Sequence, residues 1–380
     1  MTSSPFLRSS AGLFAALLTS SFAFAQSVTT DPVGFVTVNF KQNSDSYTFV
    51  PFKRTPEYAG AVVTPNGVSG DQISVAGTPN FTANQFVNST GTQPRCYVLF
   101  TSGTKTGLFY SVVANSSTSL TVDRAGDDLS SAAGASFQVI PYDTLGSVFP
   151  SGQGITASPG MGLVERATEI LVPSNSAAGT DLAAAKIYFY YSGASFGGPG
   201  WRSTSSPLTA VVNDTVLFPD THFVVRQNTG VDAQATFVGA VHMGTLKTPL
   251  GTIAANQDQD NAIALPIPTE LTLAESKLFE SGAFTGSAGM GLIDRKDELY
   301  VRDNNLAGRD KAADAVYFYY TGGSFNGPGW RRTDDTLLNK HDSDVVFSTR
   351  FGLTVRKRSS GAPGSVLWTV KPPYVPAGTP

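Results

Sequence analysis

Residues 289–331 read GMGLIDRKDELYVRDNNLAGRDKAADAVYFYYTGGSFNGPGWR, and residues 160–202 read GMGLVERATEILVPSNSAAGTDLAAAKIYFYYSGASFGGPGWR. The two stretches align without a gap at an offset of 129, with 25 of 43 positions identical. A self-match of this length means that one supersecondary unit is built twice. Its content points to strands. Tyr188-Phe189-Tyr190-Tyr191 and Tyr317-Phe318-Tyr319-Tyr320 are aromatic runs, which suit a pleated surface. Gly198-Pro199-Gly200 and Gly327-Pro328-Gly329 are turn chemistry ahead of Trp201 and Trp330. The expected fold class is all-β, made of antiparallel small barrels or sandwiches with a duplicated C-terminal module.

Outside the repeat the chain divides into further modules. Residues 1–25 read as a signal peptide. Arg8 precedes an apolar run over 11–25, which ends in Ala23-Phe24-Ala25, the small-x-small pattern of a cleavage site. The mature N-terminus is expected at Gln26. The apolar run is too short to span a bilayer, and no later segment approaches ~20 apolar residues. Residues 26–57 (module A1) hold two alternating segments, 31–40 and 47–52. Residues 237–288 (A2) hold 237–244 and 262–267, which read as weaker copies of them. Both second strands carry a proline, Pro51 and Pro266, so each is expected to be an edge strand or to end in a bulge.

Residues 58–145 (module B) have no second copy. They offer six short strands, 59–64, 72–76, 97–101, 108–114, 120–123 and 136–140, at the spacing of a small barrel or sandwich. Repeat C1 covers 146–236, repeat C2 covers 289–365, and 366–380 remain as a tail. Within C2, strands are expected at 298–301, 315–320, 330–332, 345–348 and 353–356. The one helical candidate, 306–314, contains Gly308 and is expected to give at most a helical turn.

Composition narrows the function classes. Net charge is −3 and charged residues make 14% of the chain, so no basic surface for nucleic acid is indicated. Cys96 is the single cysteine. It excludes an intramolecular disulfide and reads as a buried thiol, with an intermolecular link or a catalytic thiol as the alternative.

The chemistry-bearing candidates are few. The aromatic runs with Trp201 and Trp330 can form a sugar-stacking platform or fill a core. Tyr188, Tyr190, Trp201, Tyr317, Tyr319 and Trp330 are therefore the candidate ligand-binding residues. The repeated acids Glu165/Glu169 and Asp294/Glu298 resemble a carboxylate pair, but four residues along one strand span ~13 Å, too far for glycoside hydrolysis. A surface ion pair with Arg166 or Arg295 is the plainer reading. Residues 256–261 (NQDQDN) have the one-three-five oxygens of a calcium loop, including Asp258 and Asp260. They lack its central glycine and closing glutamate. His222, His242 and His341 have no metal-ligand spacing. No catalytic residue, metal site or cofactor is assigned.

Thr30-Asp31-Pro32-Val33-Gly34-Phe35-Val36, Thr144-Leu145-Gly146 ahead of Phe149, and the spaced Tyr-Phe-Tyr-Tyr and Gly-Trp elements together resemble a family of exported proteins. That family is found mainly in Verrucomicrobia-type bacteria. The resemblance covers most of the mature chain. It implies a bacterial exported protein and supplies no catalytic residue. The expected function is a non-enzymatic structural or adhesive protein of the cell envelope: periplasmic, on the surface or extracellular. A carbohydrate-binding protein using the repeated aromatic faces is the alternative, and a polysaccharide hydrolase comes third. An envelope polysaccharide or another envelope protein is the expected partner, with no nucleic acid and no membrane span.

Overall fold

The computed structural model describes residues 31–88, 93–359, 361–376 and 378. In it the two copies of the duplicated stretch build two five-stranded antiparallel sheets of matching order. The first runs Gly200–Ser203, Lys186–Tyr191, Thr168–Val172, Phe223–Gln227 and Asp45–Thr48. The second runs Gly329–Arg332, Ala315–Tyr320, Glu298–Asp303, Phe351–Lys357 and Gln259–Ile263. Register is repeated too: Tyr190 lies opposite Trp201, and Tyr319 opposite Trp330. The all-β expectation therefore holds. The expected signal peptide and the start at Gln26 lie outside the described residues.

Each five-stranded sheet is covered by a two-stranded ribbon. Val33–Phe40 pairs with Ala233–Ala240 over the first sheet, and Leu246–Thr252 pairs with Gly364–Val370 over the second. Val38, Phe40 and Phe237 join Ile170, Trp201 and Val225 in one core. Leu246, Leu250 and Trp368 join Leu299, Trp330 and Val355 in the other. Two apolar faces laid together in this way are the ordinary means by which a sheet buries its inner side.

This pairing corrects the module boundaries. The segment 237–244 does not copy 31–40. Its strand, Ala233–Ala240, is the antiparallel partner of Val33–Phe40, and the equivalent of that partner in the second unit is Gly364–Val370. The first five residues of the expected tail, 366–370, thus belong to the closing strand of the second unit. The strand equivalent to Val33–Phe40 is Leu246–Thr252. Alternation along a strand tells which side chains are buried; it does not tell which strand lies alongside. The second strands do take sheet edges, but as Asp45–Thr48 and Gln259–Ile263, which end before Pro51 and Pro266, so the prolines lie beyond the strands and not within them.

Module B is a seven-stranded antiparallel half-barrel with its own core, including Ile73, Val98, Val112, Leu120 and Phe137. The six expected strands are present, and Val68–Ser69 adds a seventh by pairing with Gln72–Ser74. Cys96 is buried in it, and burial pushes its thiol up to about 12. The module is an insertion into the first unit. After Asp45–Thr48 the chain makes module B before reaching the short strand Asp143–Thr144. The second unit covers the same passage, from Gln259–Ile263 to Leu271–Thr272, with residues 264–270 alone. Both passages end on a capping threonine. Thr144 accepts from Ser147 N at 3.2 Å, and Thr272 accepts from Glu275 N at 3.2 Å.

Candidate functional site

The aromatic runs sit where their alternation places them, with both faces covered. Tyr317, Tyr319 and Trp330 pack into the second core; Tyr188, Tyr190 and Trp201 pack into the first. Trp201 is 0% and Trp330 1% exposed. Each indole meets the facing tyrosine edge-on, at 5.8 Å for Tyr190 and 5.5 Å for Tyr319. Its backbone N–H donates to Asn213 Oδ1 at 3.0 Å in the first unit and to Asp342 Oδ1 at 2.7 Å in the second. A sugar ring needs an open indole face, so Trp201 and Trp330 are framework residues, and the platform expectation is corrected for them. Tyr188 and Tyr317 are buried as well, while Tyr190 and Tyr319 are half-buried against their own tryptophans.

On the opposite face of each aromatic strand lie arginines. Arg166 covers Phe189 at 5.0 Å and Arg295 covers Phe318 at 5.2 Å. The fully buried Arg202 and Arg331 sit over Tyr191 and Tyr320, both at 5.7 Å. No carboxylate forms an ion pair with Arg331 among the described residues, although Asp342 lies near it. Its guanidinium donates to Trp330 O at 3.0 Å, Phe325 O at 2.8 Å and Gly327 O at 2.7 Å. Arg202 repeats the pattern on Trp201 O, Phe196 O and Gly198 O. Carbonyl dipoles and an aromatic face thus replace a counter-ion, and the Gly-Pro-Gly loop is pinned from beneath. The sequence reading passed over these two arginines; their repetition in both copies was the available signal.

The repeated acids are framework groups too. Glu165 accepts from Gly162 N at 2.9 Å within its turn. Glu169 pairs with Arg166 at 3.4 Å and Glu298 with Arg295 at 3.7 Å. In the acidic loop, Asp258 pairs with Arg358 at 2.6 Å and Asp260 with Arg356 at 2.7 Å. Among the described residues, no group of three or more His, Cys, Asp or Glu side chains is placed to hold a metal. His341 bridges two carboxylates, Asp344 at 2.9 Å and Asp335 at 3.1 Å.

The groups that do converge lie between the two units. Arg226 of the first sheet binds Asp45 of the neighbouring edge strand through Nε at 2.7 Å and Nη2 at 2.8 Å. Arg356 binds Asp260 through the same atoms at 2.7 and 2.9 Å. Each arginine also takes an aspartate from the other repeat: Asp310 meets Arg226 at 2.5 Å, and Asp181 meets Arg356 at 2.9 Å. The backbone is reciprocal as well. Asp45 N donates to Gly308 O at 2.9 Å and Asp260 N to Gly179 O at 3.0 Å. Asn304 grips both backbone groups of Tyr47, at 2.8 and 2.6 Å. Asn175 grips both backbone groups of Ala262, at 2.8 Å each. Residue i meeting j while j′ meets i′ is the signature of an isologous, two-fold contact, formed here within one chain.

The segment expected to give at most a helical turn, 306–314, forms this contact and contains no helix. Gly308 (φ 136) and Gly179 (φ 128) hold angles that an L side chain rarely adopts, and Asp310 and Asp181 follow at φ 49 and 52. The carbonyls are thereby turned toward the partner strand rather than along a helix.

A cleft of about 210 Å³ opens on this pseudo-dyad. Its symmetry is broken in three places. Tyr47 stands where the other edge strand has Ala262, and it packs onto Gly352, where an added Cβ would meet the Tyr47 Cβ at 2.3 Å. His222 occupies the equivalent of Gly352 and meets the Tyr47 ring edge-on at 5.5 Å. Arg302 occupies the equivalent of Pro173 and lies over the Tyr47 ring at 5.4 Å. Arg302 donates to Thr354 Oγ1 at 3.2 Å and Lys311 O at 3.4 Å. Among the described residues, no carboxylate forms an ion pair with it.

His222 is buried, and burial lowers its pKa to about 4; His242 is lowered to about 4 for the same reason. A histidine depressed in the folded state holds fewer protons there than when unfolded. Stability is therefore lost as pH falls from the ordinary 6.5 toward 4. Each group carries about 3 kcal/mol over that window. Asp220, raised by burial to about 6, acts in the opposite sense over part of it. We expect a net loss of about 3 kcal/mol from these three groups between pH 6.5 and 4. Thermal melting across that range should show the fall, and the His222→Gln/His242→Gln variant, left with Asp220 alone, should instead gain stability toward pH 4; an equally steep fall in that variant would refute the assignment.

Among the described residues, no helix is long and apolar enough to cross a membrane. No protein-family model matches this chain, and neither does any curated protein or solved structure.

Proposed function

We propose that the protein is an exported, non-enzymatic structural or adhesive component of a bacterial cell envelope. The observation that carries this reading is a pair of apolar loop tips presented identically by the two repeats. Val164 is 98% and Ile293 95% exposed, beside exposed Leu163 and Leu292. Phe196 and Phe325, also exposed, rise from the neighbouring loop. The parallel bridges Ser158–Tyr191 and Ser287–Tyr320 bring both loops of a unit to the same end of its sheet.

These tips are rigidly held. Glu165 closes one turn on Gly162 N, and the buried Arg202 and Arg331 pin the Phe196 and Phe325 carbonyls. A contact surface made of two such tips favours attachment to a large partner, since linked contacts raise effective concentration. The carboxylates that an enzyme reading would use are engaged in turns and ion pairs, which supports the non-enzymatic side of the proposal. Replacing Leu163, Val164, Leu292 and Ile293 together by Ser should leave the melting temperature within a few degrees of wild type, because exposed side chains contribute little. The same variant should pass from the envelope fraction into the medium. A variant that stays with the envelope as wild type does would overturn the adhesive reading.

A further inference from the structure

We infer that the cleft on the pseudo-dyad is a binding site for a small hydroxylated carboxylate of the uronic-acid type, with Arg302 taking the carboxylate. The inference does not rest on the envelope reading. Its first support is the state of Arg302. A guanidinium offers five N–H donors in a fixed fork; here Nε goes to Lys311 O and Nη1 to Thr354 Oγ1. Packing over Tyr47 fixes the plane of the group. Arg226, the other arginine lining the cleft, holds two aspartates, as does its counterpart Arg356. Arg302 is thus the arginine of the cleft with donors left for a bidentate carboxylate, the geometry that guanidinium matches best.

The second support is the acceptors around it. Asp181 and Asp310 are exposed at the cleft and each spends Oδ1 on an arginine, so Oδ2 is left to accept a hydroxyl proton. One cation seeking a carboxylate beside two carboxylates seeking hydroxyls describes a ligand that carries both groups. The third support is size. At about 210 Å³ the cleft falls below the ~300–1,000 Å³ of drug-sized sites and admits about one ring. The fourth is handedness. Arg302 faces Pro173 across the dyad and Tyr47 faces Ala262, so the duplication has been made unequal at this place. Packing alone does not call for an arginine there, because the first unit folds in the same way with a proline.

The free acid and the terminal residue of an acidic polysaccharide share this chemistry, and the test separates them. The protein is titrated calorimetrically with glucuronate, with glucose and with a short oligoglucuronate. Binding of glucuronate at least 10-fold tighter than glucose is expected. A further gain for the oligomer would assign the polymer end, and equal affinity the free acid; both outcomes support the site. Arg302→Gln should lose at least 10-fold for glucuronate and leave glucose unchanged. Ala183→Trp, which fills the cleft from an exposed wall position without touching an ion pair, should lose binding as well. If Arg302→Gln does not fold, Ala183→Trp and the acid–neutral comparison decide alone. No measurable glucuronate binding to the wild type, equal binding of glucose and glucuronate, or binding unaffected by Ala183→Trp would each overturn the inference.

Discussion

Trp330→Ala is expected to cost about 3–5 kcal/mol of stability, the range for truncating a large buried aromatic. The indole is 1% exposed and touches Tyr319 at 5.5 Å and Phe284 at 4.9 Å. Its removal opens a cavity where the second sheet meets its ribbon, and the ribbon cannot collapse into it without shifting Trp368, which is tied by Nε1 to Ser276 O at 2.7 Å. Trp201→Ala should behave alike in the first unit, where Phe149 lies at 5.9 Å. Thermal or denaturant unfolding of each variant measures this. An exposed sugar platform would give the opposite result, a melting temperature near wild type; a shift near zero would sink the framework reading.

The second large effect belongs to the pseudo-dyad. Arg226→Met should cost about 3–5 kcal/mol, because it strands a buried carboxylate. Asp45 is 2% exposed and takes both of its charge-assisted bonds from Arg226. What remains is the Asp310 backbone N–H at 2.7 Å. Asp310 itself loses its arginine at the same time, which loosens the loop that joins the units. Asp45→Asn combined with Arg226→Met should recover part of the loss, since no uncompensated charge is then left buried. Arg350→Met is the control. Its pair with Asp303 at 2.8 Å is half in solvent, where such pairs are worth ~0–1 kcal/mol. Denaturant midpoints for the three variants decide the matter, and a loss in Arg226→Met no larger than in Arg350→Met would refute the role given to the dyad.

The two units also show how far one backbone tolerates different chemistry. Thr168 hydrogen-bonds Gln227 in the first, and Asp297 pairs with Lys357 at the equivalent place in the second. A neutral and an ionic pair thus occupy the same buried position. Matched exchange of both partners is the change that a closed site allows, because either partner alone would be left unsatisfied.

Much of this architecture was legible in local sequence. Ungapped identity over 43 positions set the duplication, because shared glycines and prolines impose shared backbone angles. Alternation placed Tyr317 and Tyr319 on one face and Phe318 and Tyr320 on the other, and the strands of modules B and C followed from apolar runs between turn residues. These features depend on neighbours a few positions away.

What only the tertiary structure decided depends on partners far along the chain. Asp45 meets an arginine 181 positions on and a backbone N–H 265 positions on, and neither end carries a local mark of the other. Edge strands pair through backbone groups that every residue possesses. For that reason the sequence could not tell that Ala233–Ala240 joins Val33–Phe40, or that the start of the expected tail, 366–370, closes the second unit. The loop at 306–314 reads as a weak helix because its helix-forming residues are visible and its backbone partner is not. The cleft is the extreme case. It exists between two units that each look complete alone, and its unequal residues, Arg302 against Pro173 and Tyr47 against Ala262, acquire meaning once the pseudo-dyad sets them face to face.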